Sequence, residues 1–281
     1  MSNLKWFTSM LLCATMIATI GCSTSRAMEP ETSDVNFFDN KVMAHALGGY
    51  KGNKYNNHEL ALKQSIENDY KFIEVDLILT KDEKLVCSHG WSKQTYLDTG
   101  VEYNKKNPVM TYEQFMSTKI QGKYDTMDVS KFVEYVKEYD DIVWELDLRT
   151  LDYNASVKTA TAIVKAFDNE SEYLDRLLIQ VGSKDMYNGI DSVYKFKHYQ
   201  YFISKANIEQ LSYVTSYARA NGIESYAINK DYVTQEIMDE LHKWGKKVLV
   251  HTVDSVEEAQ KFLDMGADTI CTNFVLPSEV K

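Results

Sequence analysis

The chain has 281 residues, of which 44% are hydrophobic and 26% charged, and this is enough apolar material for a sizeable globular core. Its 31 basic residues against 41 acidic ones give a net charge of -10 at pH 7. Because proteins that follow nucleic-acid phosphates need clustered Lys and Arg, this balance argues against a nucleic-acid partner. The sequence also offers no basic patch that would hold the folded part on an anionic membrane.

The N-terminus has the pattern of an export signal. Lys5 precedes an apolar run from Trp6 to Ile20, which is too short and wrongly flanked for a membrane-spanning helix. The Gly21-Cys22 junction resembles a bacterial lipoprotein cleavage site, so we expect Cys22 to become the lipidated first residue. Ordinary cleavage after Ala27 is the alternative, because Thr19 is unusual three residues before such a cysteine.

These features predict both location and domain boundaries. We expect a lipoprotein-type signal peptide at 1–21, a flexible linker at 22–35 and a single folded domain at 36–281. The mature protein would be an exported bacterial lipoprotein, anchored by its N-terminal lipid to the periplasmic or extracellular face of a cell-envelope membrane.

From residue 41 onward, apolar strand-like runs alternate with amphipathic helical stretches. The runs are at 42–46, 71–79, 142–148, 177–181, 199–203, 225–228, 247–253 and 268–274. Strand and helix repeated about eight times predict a TIM (β/α)8 barrel. A doubly wound open sheet shares this alternation, but no GxGxxG follows the first strand.

The interval between the second and third runs is long and predicts an insertion. KDEKLVCSHGW indicates a short β-excursion that returns His89 toward the barrel mouth. Residues 92–130 would then form a small insertion with one short helix around TYEQFMSTKI. An insertion at a barrel mouth commonly shapes access to the site.

Four titratable side chains lie near the first two strand ends. Strand side chains alternate faces, so Glu74 and Asp76 point to one side, with His45 and His89 nearby in the sequence. Two buried carboxylates on one face repel unless a cation joins them, which predicts a hard divalent ion with oxygen ligands.

These motifs resemble the glycerophosphodiester phosphodiesterase family, in the superfamily that includes bacterial phosphatidylinositol-specific phospholipase C. Its pattern of His-Arg-Gly, Glu-x-Asp, Thr-Lys-Asp-Gly and His-Asp is met by HALGG with His45, IEVDLILTKDE with Glu74 and Asp76, and SHGW with His89. The closing GADTICTNFVLP at 266–277 is similar to the family's ending. The resemblance spans about 41–277 and implies a barrel of the PLC-like phosphodiesterase type with a small insertion after strand 2.

The resemblance implies His45 as the base and His89 as the acid in metal-dependent cleavage of glycerophosphodiesters to glycerol phosphate and an alcohol. Glu74 and Asp76 would bind Ca²⁺ or Mg²⁺ with a third carboxylate from WELDLR. Asp147 is preferred for that position, because Arg149 then takes the place of the family's lysine, and Glu145 is the alternative.

Further polar residues near the strand ends are candidate substrate ligands. Arg149, Gln180 and His251 would contact the phosphodiester, although barrel-rim packing is an alternative for Gln180 and His251. Asn57 would contribute to the site or cap the first helix. His58, His198 and His242 fit solvated surface patterns, and Cys87 and Cys271 fit buried free thiols without a catalytic role.

Two departures from the family pattern keep other functions open. Ala46 stands where the family has Arg, and Gly90 stands where it has Asp. The alternatives are a metal-independent lyase that acts on inositol lipids, similar to phosphatidylinositol-specific phospholipase C, and a noncatalytic lipoprotein that binds a phosphorylated glycan. In each reading the partner is a phosphodiester or phosphorylated polymer, and no protein partner is evident.

Overall fold

A computed structural model describes residues 36–150 and 152–281, and its strands and helices alternate along most of this length. The strands are β1 Val42–Ala44, β2 Phe72–Leu79, β3 Leu85–Cys87, β4 Lys119–Ile120, β5 Tyr124–Asp125, β6 Val143–Leu148, β7 Leu177–Val181, β8 His198–Ile203, β9 Ser225–Asn229, β10 Lys247–His251 and β11 Thr269–Thr272. The predicted signal peptide, linker and lipidated Cys22 lie outside the described residues and stay predictions.

The helices fill most intervals between the strands. They are α1 Glu59–Glu67, α2 Lys93–Thr99, α3 Tyr112–Met116, α4 Val129–Glu138, α5 Tyr153–Ala166, α6 Ser171–Leu174, α7 Lys184–Asp191, α8 Lys205–Ile208, α9 Leu211–Ala220, α10 Gln235–Leu241 and α11 Val256–Asp264. Short 3-10 helices lie at Phe37–Asp39, His45–Leu47, Lys230–Tyr232, Lys243–Gly245 and Pro277–Glu279. None of the helices in the described ranges is long and apolar enough to cross a membrane.

Eight parallel strands close into a barrel, which confirms the predicted TIM (β/α)8 fold. Their order around the barrel is β1, β2, β6, β7, β8, β9, β10 and β11, and β11 pairs with β1 again. Each of these eight strands overlaps one of the predicted apolar runs. In such barrels the inward-facing side chains near the carboxyl ends of the strands build the active site.

Several helices begin at caps that the sequence supplies. Asp128 accepts from the backbone of Lys131 and starts α4, and Asp152 does the same for α5 through Ala155. The helix α7 begins at Ser183, whose side chain accepts from the backbone N–H of Met186. A side chain at its Gly189 would put Cβ 2.6 Å from the carbonyl oxygen of Tyr153, so glycine allows α7 to approach α5 closely.

The insertion after β2 is richer than predicted. The strand β3 pairs antiparallel with β2, as the β-excursion required, with Leu77 opposite Cys87. The segment beyond it contains two helices, α2 and α3, and the hairpin β4–β5, whereas one short helix was expected. The capping box of Thr111 and Gln114 marks α3, and Ser92 caps α2 at a position that the apolar pattern alone did not reveal.

The barrel interior has an apolar end and a polar end. Apolar side chains inside the barrel form one buried cluster with the first 3-10 helix: Phe37, Phe38, Met43, Phe72, Leu178, Ala227, Leu249 and Cys271. Met43, Leu249 and Cys271 of this cluster also border the cavity that opens toward the carboxyl ends. Toward the carboxyl ends the inward positions of β2 and β6 carry acidic side chains instead. The polar end is therefore where the candidate site lies.

Candidate active site

Four carboxylates project into the barrel from two adjacent strands. The register of β2 and β6 sets Glu74 beside Glu145 and Asp76 beside Asp147. Because side chains alternate along a strand, all four share the inner face. Glu74, Asp76 and Glu145 are buried, and Asp147 is partly exposed toward the mouth.

The geometry separates the two candidates for the third metal ligand. One carboxylate oxygen from each of Glu74, Asp76 and Asp147 lies within 4.8 Å of the others. Glu145 lies beside Glu74 in the register, two residues before Asp147 on β6, but it is outside this group, and its Oε2 has no hydrogen-bond partner among the described residues. The arrangement with Asp147 is thus the one that brings three oxygen donors together.

The electrostatics of this carboxylate cluster favour a bound cation. Burial raises the pKa of Glu74 well above its ordinary value, and repulsion by Asp76 and Asp147 raises it further. Burial also raises the pKa of Asp76, against the lowering effects of His89 and Arg149. Asp76 Oδ1 is buried without a hydrogen-bond partner among the described residues, so a donor set of oxygens with one unused atom fits a hard divalent ion.

His45 follows β1 and starts a 3-10 turn that the HALGG motif makes possible. Ala46 has a left-handed φ of 49° and donates its N–H to Glu74 Oε2 at 2.6 Å. A Cβ on Gly49 would lie 2.3 Å from the carbonyl oxygen of Asn273, so only glycine lets this loop approach the end of β11. The turn therefore carries His45 to the carboxylates, with Nε2 at 3.9 Å from Glu74 Oε2.

A hydrogen-bonded chain behind His45 fixes its tautomer. Asn273 Nδ2 donates to the carboxylate of Asp254 at 3.0 Å, so its amide oxygen must be the atom that faces His45. That oxygen lies 3.1 Å from His45 Nδ1, which therefore carries the proton. Lys54 donates to Asp254 at 2.6 Å on the far side. The result is a free lone pair on His45 Nε2, and burial lowers the pKa of this ring.

Tyr55 lies between the two histidines. Its ring centroid is 4.9 Å from that of His45 and 4.8 Å from that of His89. Its φ of 54° places it in the left-handed region, which is uncommon for a bulky residue and marks a site where the surroundings hold the backbone. Sequence reasoning did not single out Tyr55 or Asp254, because neither belongs to a periodic pattern or a charged pair along the chain.

Arg149 links the carboxylates to the second histidine. Its Nη1 donates to Asp147 Oδ2 at 2.7 Å, and its Nε donates to the backbone oxygen of His89 at 3.1 Å. One third of its side chain is exposed, and it lines the cavities on both sides of His89. A planar guanidinium in this position can also bind a phosphate oxygen.

The other predicted substrate ligands divide into two kinds. The amide of Asn57 makes two hydrogen bonds to Asp76. Its Nδ2 donates to Asp76 Oδ2 at 2.7 Å, and its Oδ1 accepts from the backbone N–H of Asp76 at 3.1 Å, so Asn57 orients this carboxylate. It does not cap the first helix. Gln180 and His251 line the central cavity, and burial lowers the pKa of His251 to about 4.

Three histidines that were expected to be solvated are not. His58 is buried, and its Nδ1 accepts from the backbone of Ala61, so it is this residue that caps α1. His198 and His242 are partly buried and pair with Glu224 and Asp268. Their local sequence pattern resembled that of an exposed surface. The groups that bury or pair with them come close only when the chain folds.

The central cavity opens at the carboxyl ends of the strands. Its volume is about 220 Å³, several times the roughly 30 Å³ that one water occupies in the liquid. The two histidines, Tyr55, the acidic residues Glu74 and Asp147 and the guanidinium of Arg149 all border it. The cavity is therefore bordered by the two histidines, by candidate cation ligands and by a positively charged guanidinium.

Comparisons with known proteins agree with this arrangement. The family model described as the glycerophosphoryl diester phosphodiesterase family matches residues 49–276. The sequence has no significant match among the curated proteins with which it was compared.

Solved structures share the fold. A glycerophosphoryl diester phosphodiesterase from Silicibacter pomeroyi is 16% identical with a TM-score of 0.68, and the match covers 85% of this chain and 91% of that one. A glycerophosphodiester phosphodiesterase from Parabacteroides distasonis is 18% identical with a TM-score of 0.66, over 85% and 94%. An Oleispira antarctica phosphodiesterase in complex with the product sn-glycerol-3-phosphate is 16% identical with a TM-score of 0.65, over 83% and 93%.

The family model covers most of the chain and includes β2, β6, β7 and β9, the four strands that supply acidic or amide groups to the cavity. The match begins at Gly49, after His45, and spans Glu74, His89 and Asp147, whose side chains border the central cavity. The chain belongs to the glycerophosphoryl diester phosphodiesterase family, and it is a phosphodiesterase.

Proposed function

We propose that the protein hydrolyses glycerophosphodiesters to glycerol phosphate and an alcohol, with a divalent cation and a histidine pair. The observation that carries this proposal is the fixed tautomer of His45, whose free Nε2 faces the same cavity as three clustered carboxylates. The family match supports the phosphodiester class, and the Oleispira antarctica relative holds sn-glycerol-3-phosphate as its product.

Glu74, Asp76 and Asp147 are the residues that would hold the cation. When bound, Ca²⁺ or Mg²⁺ would neutralise phosphate oxygens and make the phosphorus accessible to a nucleophile. Asn57 keeps Asp76 in position from behind through two hydrogen bonds. Arg149, held by Asp147, would add a forked donor to another phosphate oxygen.

His45 acts as the base in this mechanism. Its Nδ1 donates a proton to the amide oxygen of Asn273, and its lowered pKa favours the neutral ring at pH 7. Nε2 can therefore take a proton from the attacking hydroxyl, which is water or the 2-hydroxyl of the glycerol moiety. His89, across the ring of Tyr55, would then donate a proton to the departing alcohol oxygen. Gln180 and His251 would contact the substrate from the cavity wall.

The direct test is product analysis on a panel of glycerophosphodiesters and inositol lipids, with and without EDTA. We expect chelation to abolish turnover and Ca²⁺ or Mg²⁺ to restore it. His45→Ala and His89→Ala should each lower kcat by roughly 10² to 10⁴-fold, because each removes one proton transfer. His242→Asn is the matched control, since its ring pairs with Asp268 away from the cavity.

Two results would contradict this mechanism. Full activity in His45→Ala would remove the assigned base. Turnover that ignores EDTA and yields a cyclic phosphate from an inositol lipid would favour the metal-independent lyase instead.

The location of the protein remains a proposal of its own. We infer from the sequence alone that Cys22 carries a lipid that anchors the enzyme at the cell envelope. A Cys22→Ser variant expressed in a bacterial host should move from the membrane fraction to the soluble fraction, with the loss of the mass of the acyl groups. Equal partitioning of the two proteins would exclude the anchor.

A further inference from the structure

A second group of ligand atoms overlaps the carboxylate cluster. His45, Glu74 and Cys271 each contribute one atom, and these three atoms lie within 4.8 Å of one another. All three side chains border the central cavity. The group differs from the three carboxylates in kind, because it combines one nitrogen, one oxygen and one sulfur.

The fold brings these residues together from distant parts of the chain. Cys271 is on β11, paired with Met43 of β1, and its side chain is buried inside the barrel as a free thiol. The next strand, β2, contributes Glu74, and the turn after β1 contributes His45. The three ligands thus come from neighbouring strands at the point where the barrel closes.

We propose that this group is a second metal site, selective for a soft or borderline divalent ion such as Zn²⁺, that shares His45 and Glu74 with the catalytic centre. Thiolate and imidazole ligands favour such ions, whereas three carboxylates favour Ca²⁺ or Mg²⁺. The two donor sets therefore sort ions by ligand chemistry within one cavity.

The coordination balances without a further reactant. The Cys271 thiol loses its proton to solvent and the sulfur binds as a thiolate, Glu74 binds as a carboxylate, and His45 binds through its neutral Nε2. Burial raises the pKa of the free thiol, so the ion itself must drive the loss of the proton. Zn–S and Zn–N bonds of about 2.3 and 2.1 Å require side-chain shifts of about an ångström from the present spacing. His251 borders the same cavity and, like water, would be available as a fourth ligand.

Occupation of this site has a functional consequence that rests on the proposed function. A soft ion on His45 Nε2 removes the lone pair of the base, and on Glu74 it removes one ligand of the hard ion. The site is therefore inhibitory, and Zn²⁺ should oppose activation by Ca²⁺ or Mg²⁺.

The binding test does not depend on activity. All proteins carry Cys13→Ser and Cys22→Ser in the full chain, which leaves Cys87 and Cys271 as the two thiols. Metal-free protein is titrated with Cd²⁺, a thiophilic substitute for Zn²⁺ whose thiolate complex absorbs in the near ultraviolet. Cys87→Ser is the matched control, because Cys87 is also a buried free thiol but is absent from the His45 and Glu74 group.

We expect the absorption band in the parent protein and in Cys87→Ser, and its loss in Cys271→Ser. Zn²⁺ affinity, measured by competition with a fluorescent chelator, should fall at least tenfold in the same variant. Circular dichroism verifies folding, and Cys271→Ala provides a second removal of the sulfur in case serine disturbs the barrel. An undiminished band in the folded Cys271 variants would overturn the site, as would a band that is lost in Cys87→Ser or absent from the parent.

The activity arm separates this inference from the proposed function. With saturating Mg²⁺, the Zn²⁺ concentration that halves the rate should rise at least tenfold in Cys271→Ser, each protein being compared with its own uninhibited rate. A thiolate band in a protein without phosphodiesterase activity would overturn the proposed function and leave the metal site standing. Equal Zn²⁺ inhibition of both proteins would overturn the inhibitory role.

Discussion

At the scale of single residues, His45 takes its chemical role from two neighbours that are remote in sequence. Asn273 holds its Nδ1 proton, and Asp254 determines which end of the Asn273 amide faces the ring. An amide does this without the negative charge that a carboxylate would add beside an already acidic cluster. Asn273 and Asp254 are therefore positioning residues for His45, the proposed base.

Replacing Asn273 tests this role. Asn273→Ala leaves His45 free to rotate and to exchange tautomers, so kcat should fall roughly tenfold to a hundredfold, the equivalent of one lost buried hydrogen bond. KM should change little, because the amide does not face the cavity as a substrate ligand. Steady-state kinetics separates the two constants.

Rescue by a conservative change distinguishes positioning from simple destabilisation. Asn273→Asp retains an oxygen that can accept from His45 Nδ1, but alone it would place two carboxylates side by side, at positions 254 and 273. The double variant Asp254→Asn/Asn273→Asp avoids this repulsion, so it should recover part of the lost kcat. Nitrogen NMR of the metal-free protein should show His45 protonated at Nδ1 and a mixture of tautomers in Asn273→Ala. An unchanged spectrum in that variant would exclude the assigned hydrogen bond.

At the scale of elements, the helix α1 depends on an unusual cap. His58 is buried, its Nδ1 accepts from Ala61, and burial lowers its pKa from 6.5 to about 4. The neutral ring is favoured in the folded state. The stability that this provides is present above pH 6.5 and is lost as the pH falls from 6.5 through about 4.

His58→Asn should keep the cap and remove this acid sensitivity. Asparagine is a good N-cap, and it does not titrate. The decrease in unfolding free energy between pH 7 and pH 4 should therefore be smaller in the variant by up to about 3 kcal/mol. Urea unfolding at a series of pH values measures this difference.

His242 provides a control of opposite sign. Its hydrogen bond to Asp268 raises its pKa above 6.5, so its contribution is present below pH 6.5 and is lost as the pH rises through the raised value. His242→Asn should therefore change the pH dependence of the unfolding free energy above pH 6.5. Identical acid slopes for His58→Asn and the parent protein would contradict the burial of a neutral His58.

At the scale of the whole molecule, the two ends of the barrel have separate tasks. Phe37 closes the amino end, with its ring 5.6 Å from that of Phe72 and 5.1 Å from that of His198. The catalytic candidates are at the other end of the same strands. Mutations at the amino end should therefore change the stability without changing the activity.

Phe37→Ala tests this separation. Loss of a fully buried aromatic ring should lower the free energy of unfolding by about 3 to 5 kcal/mol. The kcat/KM of the folded fraction should stay within about twofold of the parent, because no catalytic candidate contacts the ring. Thermal unfolding and kinetics at a temperature well below the transition measure both effects. A large loss of kcat/KM with full folding would show that the ends are coupled.

The sequence by itself determined the features that depend on local periodicity. The eight strand runs, most of the helices and the shared face of Glu74 and Asp76 follow from alternation and apolar spacing, which act over a few residues. The motif resemblance added the family, and the histidine pair came with it. The helix α2 and the hairpin β4–β5 of the insertion were not predicted, because short elements carry little periodic signal.

Only the tertiary structure decided how these elements meet. The register of β6 on β2 set Asp147 beside Asp76 and Glu145 beside Glu74, and of these two it is Asp147 whose oxygen lies with those of Glu74 and Asp76. Closure of the barrel set Asn273 and Cys271 beside His45, across more than 220 residues of chain. Registers and closures are fixed by side-chain packing across the whole barrel, so no short stretch of sequence contains them.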